Sequence, residues 1–169
     1  MNSPRFVEEK EVVGNILIEK IVIYSVDGAV AESAVECYVK ANVIGGYSEA
    51  RSYSKSINAK NIEFESTNLT LGLTSSSITS TMEISLWKKF ATGVDILVGA
   101  GVVELQRAIR QPNEFSELSS VLLDNGKSIA SVLVSAQFVP KKAEEASPSK
   151  KSPTKIGRPF SAFGSTFWK

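Results

Sequence analysis

Residues 14–139 alternate apolar and polar side chains in one run after another, and this period of two is the feature that most restricts the chain. Successive side chains of a strand point to opposite faces, so the spacing demands sheets with one buried face and argues against a helical bundle. The alternation stops at Pro140. Beyond it, residues 140–169 hold two Ser-Pro units, several lysines and an aromatic end. Residues 1–13 are charged and lack a clear period. The expected organisation is therefore an arm over 1–13, a folded domain over 14–139 and a tail over 140–169.

Eight strand-like segments are legible. Gly14–Tyr24 is β-branched and apolar at both parities, which predicts a central strand covered on two sides. Cys37–Val43 alternates, with Cys37, Val39, Ala41 and Val43 facing one way. Glu49–Ser56 is polar throughout and reads as an edge. In Asn61–Leu73 the apolar phase slips between Phe64 and Leu69, so a bulge or short break is expected there. Ile78–Lys88 and Asp95–Leu105 follow. Leu118–Leu123 and Ser128–Phe138 flank Asp124-Asn125-Gly126-Lys127, whose Asn-Gly pair suits a tight hairpin turn. Gln106–Phe115 leaves room for one short helix, stopped by Pro112. Eight strands with little helix predict an all-β, eight-stranded antiparallel sandwich carrying an extended C-terminal tail.

Charge divides at the same place. Residues 1–139 hold 12 Lys+Arg against 16 Asp+Glu, a net −4, and residues 140–169 hold 7 against 2, a net +5. A basic tail seeks an acidic protein, a nucleic acid or an anionic lipid surface. Cys37 is the one cysteine, so no intrachain disulfide forms, in keeping with a reducing cytoplasm. Its place in an alternating run marks a buried core thiol. The N-terminus shows no apolar signal-like region, and no stretch reaches the ~18 apolar residues of a membrane span, so a soluble chain is expected.

Catalytic chemistry has little footing. There is no histidine, which removes the usual base near neutral pH. No nucleophile elbow, phosphate loop or Cys-x-x-Cys pair is present. Gly99-Ala100-Gly101 is too short for a dinucleotide fingerprint. The expectation is a protein without catalytic residues, substrate or cofactor.

The order of several motifs resembles the C2 domain family. Gly14–Tyr24, a loop and Glu36-Cys-Tyr-Val-Lys40 resemble its opening, where the first loop ends in Asp-Pro-Tyr-Val-Lys. Asn61-Ile-Glu-Phe64 resembles a Trp-Asn-Glu-Phe segment. Met82-Glu-Ile-Ser-Leu-Trp87 resembles the fifth strand, Asp95–Leu105 the strand after the third loop, and Leu122–Phe138 the closing hairpin. Calcium-binding members hold the ion with about five loop aspartates, since hard cations take oxygen ligands. This chain offers Asp27, Glu36 and Asp95, and places Trp87-Lys88-Lys89-Phe90 where acids are usual. The resemblance thus implies a divergent, calcium-independent member with no metal site. In such relatives a loop like Lys88, Lys89 and Phe90 meets anionic lipid or a protein partner. Lys40 matches one position of the family's lysine-rich cluster, but Ala41, Asn42 and Val43 do not reproduce it, so specific phosphoinositide recognition is not expected.

In the tail, Ser147-Pro148 and Ser152-Pro153 lie among Lys150, Lys151 and Lys155, and resemble tracts of microtubule-associated proteins and of linker histones. Phosphorylation of Ser147 or Ser152 would add about −2 charge and weaken attraction to an acidic surface. Arg158, Phe160, Phe163, Phe167 and Trp168 follow among small residues, as suits a peptide anchored in a partner's grooves. Folding back on its own sandwich is the alternative for this segment. The leading functional expectation is a non-catalytic adaptor in a large cytoplasmic assembly, cytoskeletal or ciliary, with the acidic surface of tubulin as first partner. The alternative is a peripheral membrane module using the loop lysines and the tail. Nucleic acid is not expected, because an acidic fold has no basic groove.

Overall fold

The computed structural model describes residues 11–28, 36–46, 48–56, 60–75 and 81–142. Among them, ten strands and one short helix are described in the order β1 (Val12–Tyr24), β2 (Glu36–Val43), β3 (Glu49–Arg51), β4 (Lys55–Ser56), β5 (Ile62–Phe64), β6 (Leu69–Thr74), β7 (Thr81–Lys89), β8 (Ile96–Glu104), α1 (Gln106–Arg110), β9 (Phe115–Asp124) and β10 (Lys127–Pro140). The ladders that join them are antiparallel. The hydrogen-bonded path runs β3-β2-β7-β8-β9-β10-β1-β5, with β4 also beside β2 and β6 also beside β1.

Ten strands occupy eight positions, because each of the two outer strands is split. The first layer is β3/β4, β2, β7 and β8; the second is β9, β10, β1 and β5/β6. They meet at β8 and β9, which among the described residues share the single rung Ala100↔Leu123. One cluster of buried side chains from both layers fills the space between them, including Ile16, Ile21, Phe64, Leu71, Ile84, Leu86, Val132 and Val134.

The splits follow from local chemistry. Between β3 and β4 the buried Ser52 hydroxyl accepts a hydrogen bond from the Val39 amide at 2.9 Å, while Ser52 N donates to Val39 O at 2.9 Å. Between β5 and β6, Ser66 and Asn68 take positive φ (48° and 47°). There Thr67 donates to β1 twice, from Oγ1 to Ile18 O at 2.7 Å and from N to Glu19 O at 2.9 Å. A hydroxyl thus keeps each interrupted edge hydrogen-bonded to its neighbour, as backbone groups facing a sheet require. The break between Phe64 and Leu69 is the one the apolar phase slip predicts.

β1 corrects one expectation. Its ladder with β10 shifts between Ile18 and Lys20. The bulge flips the inward parity, so Ile16 and Ile18 are buried before it and Ile21 and Ile23 after it. Part of the two-sided apolar character comes from this flip. Leu17, Val22 and Tyr24 on the other side are only half-buried, and no described element covers them. The helix is shorter than the sequence predicts, because β9 already begins at Phe115. The closing hairpin is as expected: Asn125 (φ 48°) and Gly126 (φ 79°) form its turn, and Ala130, Val132, Val134, Ala136 and Phe138 point inward.

Candidate functional site

Four segments converge at one end of the sandwich. These are the end of β1 with Asp27, the start of β2 at Glu36, the β7–β8 loop over residues 90–95, and the β9–β10 turn. Ladder register brings them together, since Glu36 lies opposite Lys89 and Lys88 opposite Ile96. Asp27 N donates to Ile129 O at 2.9 Å, which ties the first loop to β10.

The three acids that the C2 resemblance singles out are each engaged by a donor of this chain. Lys127 Nζ lies 3.4 Å from Asp27 Oδ2, and Lys89 Nζ 3.2 Å from Glu36 Oε2. The Tyr38 hydroxyl donates to Asp95 Oδ2 at 2.8 Å, and the Phe90 amide to Asp95 Oδ1 at 3.4 Å. Asp95 therefore closes the β7–β8 loop onto β2. Among the described residues no three His, Cys, Asp or Glu side chains are grouped closely enough to hold a metal ion.

Those contacts set the protonation behaviour. The Tyr38 hydrogen bond holds the Asp95 carboxyl below the ordinary carboxylate range, with the Phe90 amide and the Arg51 and Lys89 charges acting in the same sense. Burial, and then donation to Asp95, push the Tyr38 phenol up. A depressed carboxyl stabilises the fold above its ordinary pKa, and the contribution is lost as pH falls through the lower folded value. We expect Tyr38→Phe to raise the Asp95 titration midpoint, read by carboxyl carbon shifts against pH. An unmoved midpoint would show that Asp95 is governed by its other neighbours.

Lys88 and Lys89 do not form one basic tip. Both belong to β7, so they point to opposite faces. Lys89 shares the outer face of the first layer with Trp87, and the loop itself carries Phe90. Around Trp87 lies a cluster that sequence reasoning missed. Tyr38 and Trp87 stack with ring centroids 6.4 Å apart and planes 5° apart. The Arg51 guanidinium sits 3.5 Å from the Tyr38 centroid, and Lys40 Nζ 4.9 Å from the Trp87 ring. Lys40 also pairs with Glu49 at 3.1 Å. Alternation alone places Tyr38 and Lys40 on one side of β2 and Trp87 on one side of β7. Cross-strand register, which turns these into one cationic and aromatic face, was not readable.

Apolar side chains are exposed at the loop end, Leu97 opposite Trp87 on this face and Ile96 opposite Lys88 on the other. Val94 is 87% exposed, Ile96 55%, Leu97 48% and Phe90 39%. Cys37 is inert by comparison: it is fully buried, its Sγ lies 3.3 Å from Lys55 O, and burial pushes its thiol up to about 11. Lys150, Lys151, Lys155, Arg158, Phe160, Phe163, Phe167, Trp168, Ser147 and Ser152 lie outside the described residues.

Comparison with solved structures settles the architecture. A C2 domain of plant extended synaptotagmin 1, the one lettered A, matches with a TM-score of 0.63 at 14% identity, over 79% of this chain and 100% of that one. The fold is that of a C2 domain. A C2 domain-containing protein from a putative elicitor-responsive gene gives a TM-score of 0.60 at 14% identity, covering 80% of this chain and 96% of that one. Human GIVD cytosolic phospholipase A2 matches over 79% of this chain but only 17% of its own, with a TM-score of 0.56 at 9% identity. No protein-family model and no curated protein matches the sequence.

Proposed function

We propose that the chain is a non-catalytic, calcium-independent C2 module that docks on an anionic membrane surface by its β7–β8 end, on the cytoplasmic side. The observation that carries this reading is the exposed apolar set Phe90, Val94, Ile96 and Leu97 at the loop end, beside a face where Lys40, Arg51 and Lys89 stand among Trp87 and their paired acids. Each such side chain is worth up to ~1.5–3 kcal/mol when fully withdrawn from water. Lys40, Arg51 and Lys89 supply the attraction. The exposed ion pairs of Lys40 and Lys89 are individually weak, so a lipid phosphate can exchange for Glu49 or Glu36. Trp87, half-buried on this face, adds an amphipathic ring of the kind that favours an interface.

Sedimentation with phosphatidylcholine vesicles, with and without phosphatidylserine, tests it. Binding is expected to need the anionic lipid, to weaken with salt, and to persist in a calcium chelator. Val94→Asp/Leu97→Asp should weaken it at least ~10-fold. Equal binding by that variant would overturn the reading, and loss in chelator would overturn its calcium independence.

The second reading is an adaptor in a cytoskeletal or ciliary assembly, held through the tail. The split of charge, −4 over 1–139 and +5 over 140–169, favours it. It requires that the full chain co-pellet with microtubules and that Lys150→Glu/Lys151→Glu/Lys155→Glu abolish the effect.

A further inference from the structure

The outer face of the second layer carries an apolar set among its polar positions. Val22 of β1 lies opposite Leu133 of β10, and Leu17 opposite Gln137, which in turn faces Phe115 of β9. Phe115 is 51% exposed. A groove of about 270 Å³ opens there, lined by Leu17, Ile18, Glu19, Asn68, Thr70 and Phe115. Apart from the residues whose parity the bulge exchanges, β1 turns Leu17, Val22 and Tyr24 outward, and among the described residues nothing covers this side.

We infer that residues 156–168 of the same chain fold back over this face, with Phe160 or Phe163 in the groove between Leu17 and Phe115. Three observations select that occupant. The first is where the tail departs. Lys141 N donates to Val13 O at 2.9 Å, so the chain is still pinned beside β1 when it leaves β10. Phe115 faces Gln137, only three residues before Pro140, and is therefore ~10 Å from the exit along the strand.

The second is reach. From Lys142 to Phe160 the chain advances 18 residues, ~60 Å when extended, so the groove is reached with slack. A tether of this length holds its end at millimolar effective concentration, and weak contacts then suffice.

The third is charge. The face and its rim carry Glu19, Glu63, Glu65 and Glu117 against Lys20, and Lys20 is already held 3.4 Å from both Glu63 and Glu65. Arg158 and the lysines just before the docked segment, Lys150, Lys151 and Lys155, complement this surface; the face of a second copy would present the same acids and be repelled. Phe160, Phe163, Phe167 and Trp168 supply the apolar cover that Leu17, Val22 and Leu133 lack. This face lies across the sandwich from Lys40, Arg51 and Trp87, so its occupancy and vesicle docking stand or fall separately.

A nitroxide at Ser161→Cys in the otherwise intact full chain tests the inference by paramagnetic broadening of amide signals. The buried Cys37 leaves the new thiol as the reactive one. Signals of Leu17, Thr70 and Phe115 should be lost in the oxidised sample and return on reduction of the label. Phe115→Asp should restore them, and so should the exposed reversal Glu19→Lys/Glu117→Lys, which does not disturb the core. Absence of broadening, or broadening centred on Val94 and Leu97, would overturn the inference. So would broadening of a labelled-isotope, nitroxide-free chain mixed with a nitroxide-bearing one, because a second copy would then be the occupant.

Discussion

Phe64→Ala is expected to remove ~3–5 kcal/mol of folding free energy, the range for deleting a fully buried ring. Phe64 has no exposed surface, faces Ile21 across the β1–β5 ladder, and meets the Tyr53 ring at 5.6 Å between centroids with planes tilted 59°. It is also the last residue of β5, after which the chain turns through Ser66 and Asn68 to resume as β6. The loss therefore falls in the three-residue half of a split edge strand. A domain has only ~5–15 kcal/mol in all. Urea unfolding should show a much lower midpoint with an unchanged slope. A loss below ~1 kcal/mol would contradict close packing around the ring. Phe64→Leu keeps most of the volume and should cost far less.

Gly101→Val is expected to open the corner where the two layers meet. A Cβ at Gly101 would lie 2.3 Å from the Val121 carbonyl oxygen and 3.2 Å from Ser120 Oγ. Backbone cannot rotate out of the way, so β8 must move from β9. The rung between these strands, Ala100↔Leu123, and the 2.6 Å bond from Ser120 Oγ to Val102 O lie on either side of the clash. Overpacking of this kind costs ~1–3 kcal/mol. The checks are urea unfolding and loss of the cross-strand nuclear Overhauser contact between Ala100 and Leu123. Gly93→Ala is the control, because nothing lies within 4 Å of its Cβ position; its effect should stay within ~0.5 kcal/mol. An intact Ala100–Leu123 contact in Gly101→Val would show that the corner tolerates more than its geometry allows.

These glycines also show how far motif reading extends. Gly99-Ala100-Gly101 carries no cofactor signature, and its sequence alone gives it no role. In the structure Gly99 and Gly101 supply the absence of Cβ that two strands need to touch. The missing information was the neighbour, not the residue.

The candidate site divides in the same way. Lys88, Lys89 and Phe90 were legible as a charged and apolar stretch, but their strand separates the two lysines onto opposite faces. Tyr38, Lys40, Arg51 and Trp87 come from three strands. Each was visible as one polar or aromatic position in an alternating run, and only the β2–β3 and β2–β7 registers stack them. That Asp27, Glu36 and Asp95 are too few for an ion is legible in the sequence; their engagement by Lys127, Lys89, Tyr38 and Phe90 depends on the fold.

What the sequence determined by itself is whatever depends on near neighbours along the chain. The period of two, the Asn125-Gly126 turn and the phase slip after Phe64 are local, and local sterics and solvation translate them directly into strands, a hairpin and a break. Tertiary structure decided everything that depends on which strands become adjacent. That includes the bulge at Glu19, the split edges bridged by Ser52 and Thr67, the cation–aromatic face and the outward apolar side of β1. Pairing partners are chosen by the summed burial of a whole core, a quantity that no short stretch of residues contains.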